Sequence, residues 1–218
     1  MIMGAMTERH ASETTRLLEE AAAGGEEAWR SLVGQNHERL RRMIALRLDP
    51  RIQVRVDPSD VLQETYLEAS RQLSDYLRNP VLPFFLWLRQ LAGNRLSKLH
   101  RRHLGTQKRS TGREVSLYRG ALPEASSAAL AAHLLGRECR PSEHAIRAEL
   151  KIRLQEALNR MDPLDREVLS LRHFEQLTTP EVARVLEISE AAAAKRYLRA
   201  LLKLKEIVSA IPGFSEGR

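Results

Sequence analysis

Apolar residues recur at helical spacing through two stretches of the chain, separated by one in which the pattern dissolves. Leu17, Leu18 and Ala21 mark a short first helix closed by Gly24-Gly25. Trp29, Leu32, Val33, Leu40, Met43, Ile44 and Leu48 continue the period up to Pro50. The next helix has a defined start, with Asp57 as N-cap, Pro58 at the first helical position and Asp60 three residues after the cap. It runs to about Leu77, where Asn79-Pro80 and Pro83 impose a loop, and a further helix spans about Phe84 to His103. From Leu104 to Pro141, Gly105, Ser110, Gly112, Gly120, Pro123, Ser126-Ser127 and Gly136 interrupt the period, although Ala128–Leu135 has room for a helical turn or two. That stretch is too long for a loop inside one domain. After Ser142 the helical pattern resumes through Leu150, Leu154 and Leu158, and Asp162-Pro163 opens another helix through Leu164, Val168, Leu169 and Leu171. The expectation is an all-α protein of two small helical domains, 12–104 and 143–208, joined by a flexible linker over 105–142.

Composition narrows this further. A chain of 218 residues holds one large domain or two small ones, and 43% hydrophobic residues exclude wholesale disorder. The 5% aromatic share disfavours a β-sandwich or barrel. Cys139 is the only cysteine, which removes an intrachain disulfide and a cysteine-based zinc site. The first residues lack the pattern of a signal peptide, and no run approaches the ~18 apolar residues of a membrane span, so a cytoplasmic protein is expected. The net charge is +7 and the pI near 10. Such an excess points to a polyanionic partner only where it is concentrated.

It is concentrated in two places. In Leu177–Leu204, Thr178 and Glu181 form a capping box opening a short helix whose Val182, Val185 and Leu186 face inward. A turn through Glu187-Ile188 leads to Ser189, a second N-cap, and a longer helix with Ala193, Tyr197, Leu201 and Leu204 on its inner face. Two short helices, a tight turn, and Lys195, Arg196, Arg199 and Lys203 on the second helix are what a helix-turn-helix requires. The run Ala191–Ala194 keeps the entry of that helix slim enough for a major groove. A plain helical hairpin with a solvated basic face satisfies the same spacing. Glu187 stands where such turns usually carry glycine, which implies a different turn or modest strain.

The second concentration is the helix Phe84–His103. Phe85, Leu88, Ala92, Leu96 and Leu99 form one stripe, with Asn94, Lys98 and Arg101 opposite, flanked by Arg95 and Arg102. This strip suits a phosphate backbone. Phe84, Phe85 and Trp87 lie beside it, as in single-strand binding, although core packing explains Phe85 better and Trp87 equally well. The preceding helix is of opposite character. Asp60, Gln63, Glu64, Glu68 and Asp75 share one face, which would repel phosphate and reads as a docking face for a basic protein surface or as an ordinary solvated face.

Together these residues resemble a bacterial RNA polymerase sigma factor of the sigma-70 family, extracytoplasmic-function (ECF) subfamily. Asp57-Pro58-Ser59-Asp60-Val61-Leu62-Gln63-Glu64-Thr65 is similar to the family's region 2.2. Phe85-Leu86-Trp87-Leu88-Arg89, with Ala92 and Asn94-Arg95, is similar to regions 2.3 and 2.4. Leu158 to Lys205, with Asp165-Arg166-Glu167-Val168, Glu181-Val182-Ala183, Ile188-Ser189 and Arg199-Ala200, is similar to region 4. The likeness covers roughly 25–104 and 146–206. It implies that Asp60, Gln63 and Glu64 meet the β′ clamp of core RNA polymerase, with the β flap as a further contact. It implies that the loop near Ser74–Pro83 and Trp87, Asn94, Arg95, Lys98, Arg101 and Arg102 capture the promoter −10 element, where a base is flipped from the stack. Ser189, Lys195, Arg196, Arg199 and Lys203 would serve the −35 element in duplex form. Ala194 departs from the Lys or Arg the family often carries there, shifting −35 contacts toward Lys195 and Arg196 or toward backbone shape. An anti-sigma protein is a further partner the resemblance allows, and no cofactor or catalytic residue is implied.

Three other readings remain at this point. A two-domain helix-turn-helix regulator accounts for Leu177–Leu204 but leaves the Asp60–Glu64 motif and the basic helix unexplained. A metal-dependent nuclease would need His100 and His103, or His133, Cys139 and His144, to form a ligand set, and their spacing matches none. A sigma-like adaptor that docks on polymerase without opening promoters fits the same motifs.

Overall fold

The computed structural model describes residues 2–104 and 144–209. The expected linker, with His133 and Cys139, lies outside the described residues. Within them every regular element is helical. The N-terminal half comprises α1 (Ile2–Ala22), α2 (Glu26–Arg47), α3 (Pro50–Gln53), α4 (Pro58–Arg78) and α5 (Phe84–Leu104). The C-terminal half comprises α6 (His144–Arg160), α7 (Pro163–Leu169), a π-turn (Ser170–Phe174), α8 (Thr179–Leu186) and α9 (Glu190–Ser209).

The turn signals act as their chemistry dictates. Gly24 takes φ +94°, a left-handed conformation. At Gly25 the backbone passes so close to the Glu20 carbonyl that a Cβ would lie 2.7 Å from its oxygen. Asp57 accepts the Ser59 N–H at 2.7 Å, and Asp162 accepts those of Leu164 and Asp165 at 2.9 and 3.3 Å. The loop after α4 is tied down by the Tyr76 hydroxyl, which donates to the Leu82 carbonyl at 2.8 Å. Two elements go beyond the sequence reading. The short α3 is capped by Asp49, which accepts the Arg51 N–H at 2.9 Å; the hydrogen bonds from Arg51 hold its carboxyl down to about 2. The helix expected to run through Leu171 instead stops at Leu169 and widens by one residue, with the Glu175 N–H reaching back to Ser170 O at 3.2 Å.

In the N-terminal half α2 packs on α1, α4 and α5, and in the C-terminal half α9 packs on α6, α7 and α8. The two halves also pack on each other through α2 and the π-turn. Leu32, Leu40, Met43, Ile44, Leu88 and Leu96 are fully buried, and their cluster continues into Val168, Leu171, Leu177, Val182 and Leu186. A second cluster of Leu154, Leu158, Met161, Leu169, Phe174, Ala200 and Leu204 includes one residue from the other half, Leu46 of α2. The sequence divides the chain into two helical halves; it does not reveal that they dock. Among the described residues no helix is long and apolar enough to cross a membrane.

Leu96→Ala should destabilise the protein by about 2–5 kcal/mol, as a buried leucine deletion does, and Thr178→Ala, which removes the cap of α8, by about 1 kcal/mol. Urea denaturation of the full chain followed by far-UV circular dichroism measures both.

Candidate functional site

Three surfaces carry the candidate chemistry. On α4, Asp60, Gln63 and Glu64 are exposed, with exposed Leu67 one turn further on. The opposite face of α4 supplies Leu62, Ala69 and Leu73 to the core, which makes the helix amphipathic and turns Asp60, Gln63 and Glu64 to solvent. Asp75 pairs with Arg78 within the helix.

Helix α5 lies against α4 and presents the basic strip. Asn94, Lys98, Arg101 and Arg102 are exposed, while Phe85, Leu88, Ala92 and Leu96 are buried. Arg95 is half-buried and ion-paired with Glu64 of α4, so a candidate DNA contact and a candidate docking carboxylate are each other's partners. Trp87 is half-buried and stacked on Tyr76, ring centroids 4.4 Å apart at 20°, with Phe84 tilted against both. The Trp87 ring therefore comes pre-positioned, and burial raises the Tyr76 phenol above its ordinary pKa.

The third surface is the helix-turn-helix, α8 and α9. The capping box is complete, with the Thr178 N–H donating to Glu181 at 2.7 Å and the Glu181 N–H to the Thr178 hydroxyl at 3.4 Å. Glu187 occupies the left-handed region at φ 52°, the strained turn its sequence position implies. The Ser189 hydroxyl accepts the Ala192 N–H at 3.2 Å and caps α9. Lys195 and Lys203 are exposed. Arg199 is bound by the buried Asp165 at 2.7 Å, which raises its pKa further, and Arg196 stands 3.9 Å from the same carboxylate. Asp165 thus fixes Arg199 to α7, with Arg196 at the outer edge of ion-pair reach.

Between the halves lies a feature that sequence reasoning missed. Arg47 of α2 donates to Glu175 at 2.6 and 2.9 Å and to Glu167 of α7 at 2.5 Å. Arg89 of α5 donates to Glu175 at 2.5 Å. The side chains of Arg47, Arg89 and Glu175 are 1%, 3% and 0% exposed, so these charges have been withdrawn from water. Around them Arg39 lies over the Phe85 ring at 3.8 Å and donates to the Glu175 carbonyl at 3.3 Å, with Glu181 3.5 Å away. Arg42 donates to the Gln176 side chain at 3.1 Å. Burial alone would lower the Arg47 pKa, but the adjoining Glu167 and Glu175 carboxylates outweigh it and raise the pKa above its usual value. Burial likewise opposes charge on Glu175, and the two arginines overcome that and hold its pKa below the ordinary range. The signal was available: Arg47 continues the stripe Leu40, Met43, Ile44, and Arg89 sits between Phe85, Ala92 and Leu96 on theirs, charges on apolar positions that call for buried partners.

Among the described residues no group of three or more potential ligands converges. His100 accepts the Asp49 N–H at 3.2 Å, a structural role.

Arg47→Met leaves buried Glu175 and Glu167 to share Arg89 and should cost about 3–5 kcal/mol in urea unfolding. Because the folded pKa of Glu175 is depressed, its contribution is present above the ordinary carboxylate pKa and is lost as pH falls through the lower folded value. An acid titration should therefore show wild type and Glu175→Gln differing at neutral pH and converging well below about pH 4.

The chain matches the family model "Sigma-70, region 4" over residues 151–204, spanning α6 to α9. It is 30% identical over 155 residues to the RNA polymerase sigma factor CnrH of Cupriavidus metallidurans, covering 71% of this chain and 74% of that one. It is 28% identical over 152 residues to the RNA polymerase sigma factor NccH of Alcaligenes xylosoxydans xylosoxydans, covering 70% and 73%. Its fold is similar to that of CnrH solved in complex with the cytosolic domain of CnrY, with a TM-score of 0.54 at 25% identity, covering 91% of this chain and 98% of that one. With the helix-turn-helix, the paired acidic and basic helices and relatives spanning both halves, the chain belongs to the extracytoplasmic-function sigma factors of the sigma-70 family.

Proposed function

We propose that this sigma factor binds core RNA polymerase through α4 and directs initiation by contacting the −10 and −35 promoter elements with its two halves. Residues 12–104 act as region 2, 143–208 as region 4, and 105–142 as the connection between them. Asp60, Gln63 and Glu64 engage the β′ clamp, and region 4 adds a contact to the β flap. Trp87, Asn94, Arg95, Lys98, Arg101 and Arg102 take the −10 element, with Trp87 offering a face for a base and the cations holding phosphates. The α9 helix enters the major groove of the −35 element with Lys195, Arg196, Arg199 and Lys203, its entry fixed by Ser189. The protein contributes binding and positioning rather than catalysis, and works in the cytoplasm with polymerase.

The observation that carries this reading is the juxtaposition on α4 and α5. An exposed acidic face and an exposed basic face lie side by side, joined at Glu64–Arg95. A regulator that only binds duplex DNA has no use for the acidic face, whereas a protein that must hold polymerase and promoter together needs both. The relative CnrH has been solved with the cytosolic domain of CnrY, and we propose a comparable anti-sigma partner for this chain.

Co-purification with core polymerase, followed by run-off transcription on a pool of host promoters, is the direct test. Stable binding with new start sites is expected. Binding without transcripts would indicate an adaptor, and tight duplex binding without polymerase a plain regulator. Glu64→Lys should abolish polymerase binding with helicity unchanged, since Glu64 is exposed; unaltered binding would refute the docking assignment. Arg196→Ala should weaken dependence on the −35 sequence. Lys195→Ala should weaken duplex binding at all sites alike and lower the salt slope by about one.

A further inference from the structure

We infer that Leu198 of α9 reads thymine methyl groups in the −35 element, on a face that it shares with Ala191 and Lys195. The inference rests on the promoter-binding reading above and specifies what the C-terminal half recognises there.

It begins from the way α9 is packed. Ala193, Ala200 and Leu204 are buried and Tyr197 is half-buried, and these four form the inner line of the helix. At about 100° per residue, the line opposite is Ala191, Lys195, Leu198 and Leu202. All four are exposed, the two leucines to 59% and 61%. A helix lying in the major groove turns this outer line, from its N-terminal residues onward, to the base edges. Ala191 and Leu198 are separated by about 10 Å of helical rise, which fits a groove about 12 Å wide. Leu202 stands roughly 16 Å from Ala191 and falls beyond the groove floor.

The arginines are drawn away from that line. Arg199 is tied to buried Asp165 by hydrogen bonds of 2.7 and 3.2 Å, and half-buried Arg196 stands 3.9 Å from the same carboxylate. Both lean toward α7, where they suit phosphates at the groove wall better than base edges. Lys195 shares the outer line, and its long flexible stem carries the ammonium group out to a phosphate. What remains in front of the bases is apolar. An exposed leucine ringed by Lys195, Arg199 and Lys203 calls for an occupant that is anionic at its rim and apolar at its centre. A major groove carrying thymine is such a surface, because phosphates border it and the C5-methyl group projects into it. Alanine at 191 and at 194 leaves no bulk to hold Leu198 off the base pairs.

The test uses the full chain assembled with core polymerase, on a promoter found by the run-off experiment above. Each thymine of the −35 element, on either strand, is replaced in turn by deoxyuridine, which keeps the pairing and the O4 acceptor but lacks the methyl. At one or two positions the holoenzyme concentration for half-maximal binding should rise about fourfold, the worth of burying one methyl group. Leu198→Ala should bind the thymine promoter about as weakly as the wild type binds its deoxyuridine counterpart, and should not distinguish the two. Lys195→Ala should weaken both and preserve their ratio, and Leu202→Ala should leave both unchanged. A −35 element without A·T pairs, a wild type indifferent to deoxyuridine, or a Leu198→Ala chain that keeps the wild-type ratio would each overturn the inference. So would loss of the ratio in Leu202→Ala, or loss of core-polymerase binding in Leu198→Ala, which would assign that leucine to a protein contact. Failure of the wild-type holoenzyme to bind any promoter would refute the promoter-binding reading itself, and the inference with it.

Discussion

Removing two arginines and two glutamates from water is costly, and the chain tolerates it because each charge is met by opposite charges at hydrogen-bonding distance. The placement of the C-terminal half depends on that cluster. Glu175 reaches both arginines only because the π-turn carries it there, and α7 contributes Glu167 only because Asp162 starts that helix where it does. Leu46, one residue before Arg47, inserts among Leu154, Leu158 and Phe174 on the same approach. Apolar packing supplies the driving force for docking, and the charges set which orientation is acceptable, since any other would leave them buried and unpaired.

Charge is used in a second way at the exposed surfaces. Glu64 with Arg95, and Asp165 with Arg196 and Arg199, are pairs in which one partner belongs to a surface proposed to contact DNA and the other lies beside it. The Glu64–Arg95 pair is partly exposed, so it contributes little to stability and each member can exchange its partner for a stronger one. Asp165 is buried and holds Arg199 more firmly through two hydrogen bonds. Helix α9 therefore presents a basic face on which Arg199 is held by an ion pair while Lys195 and Lys203 extend into solvent.

Much of this was legible in the sequence because it is local. Caps at Asp57, Asp162, Thr178 and Ser189, the glycine pair at 24–25 and the apolar stripes of α2, α4 and α5 are set by neighbours within a few residues. The strained turn at Glu187 was legible too, since only glycine enters the left-handed region without cost. What escaped was long-range. Arg47 and Glu175 are 128 residues apart, and nothing in the periodicity of either segment specifies the other. The positions of Arg47 and Arg89 on apolar stripes announce that each has a buried partner, but a wheel records only which face a residue is on and not what packs there. The π-turn escaped for a different reason. A one-residue widening leaves the apolar positions nearly periodic, and it becomes visible only through the backbone bond from Glu175 to Ser170.

That widening bears on how such a protein can change over evolutionary time. Each residue of a helix turns the chain by about 100°, so one inserted residue re-aims everything that follows without altering composition. Deleting a single codon within 170–174 would return the segment to ordinary helical register and swing Glu175 away from Arg47 and Arg89, while leaving the residues of α8 and α9 untouched. Sigma factors that share this helix-turn-helix can therefore differ by one residue in whether their halves hold together. The contact between the halves can thus be lost or gained in a single mutational step that leaves every residue of α8 and α9 in place.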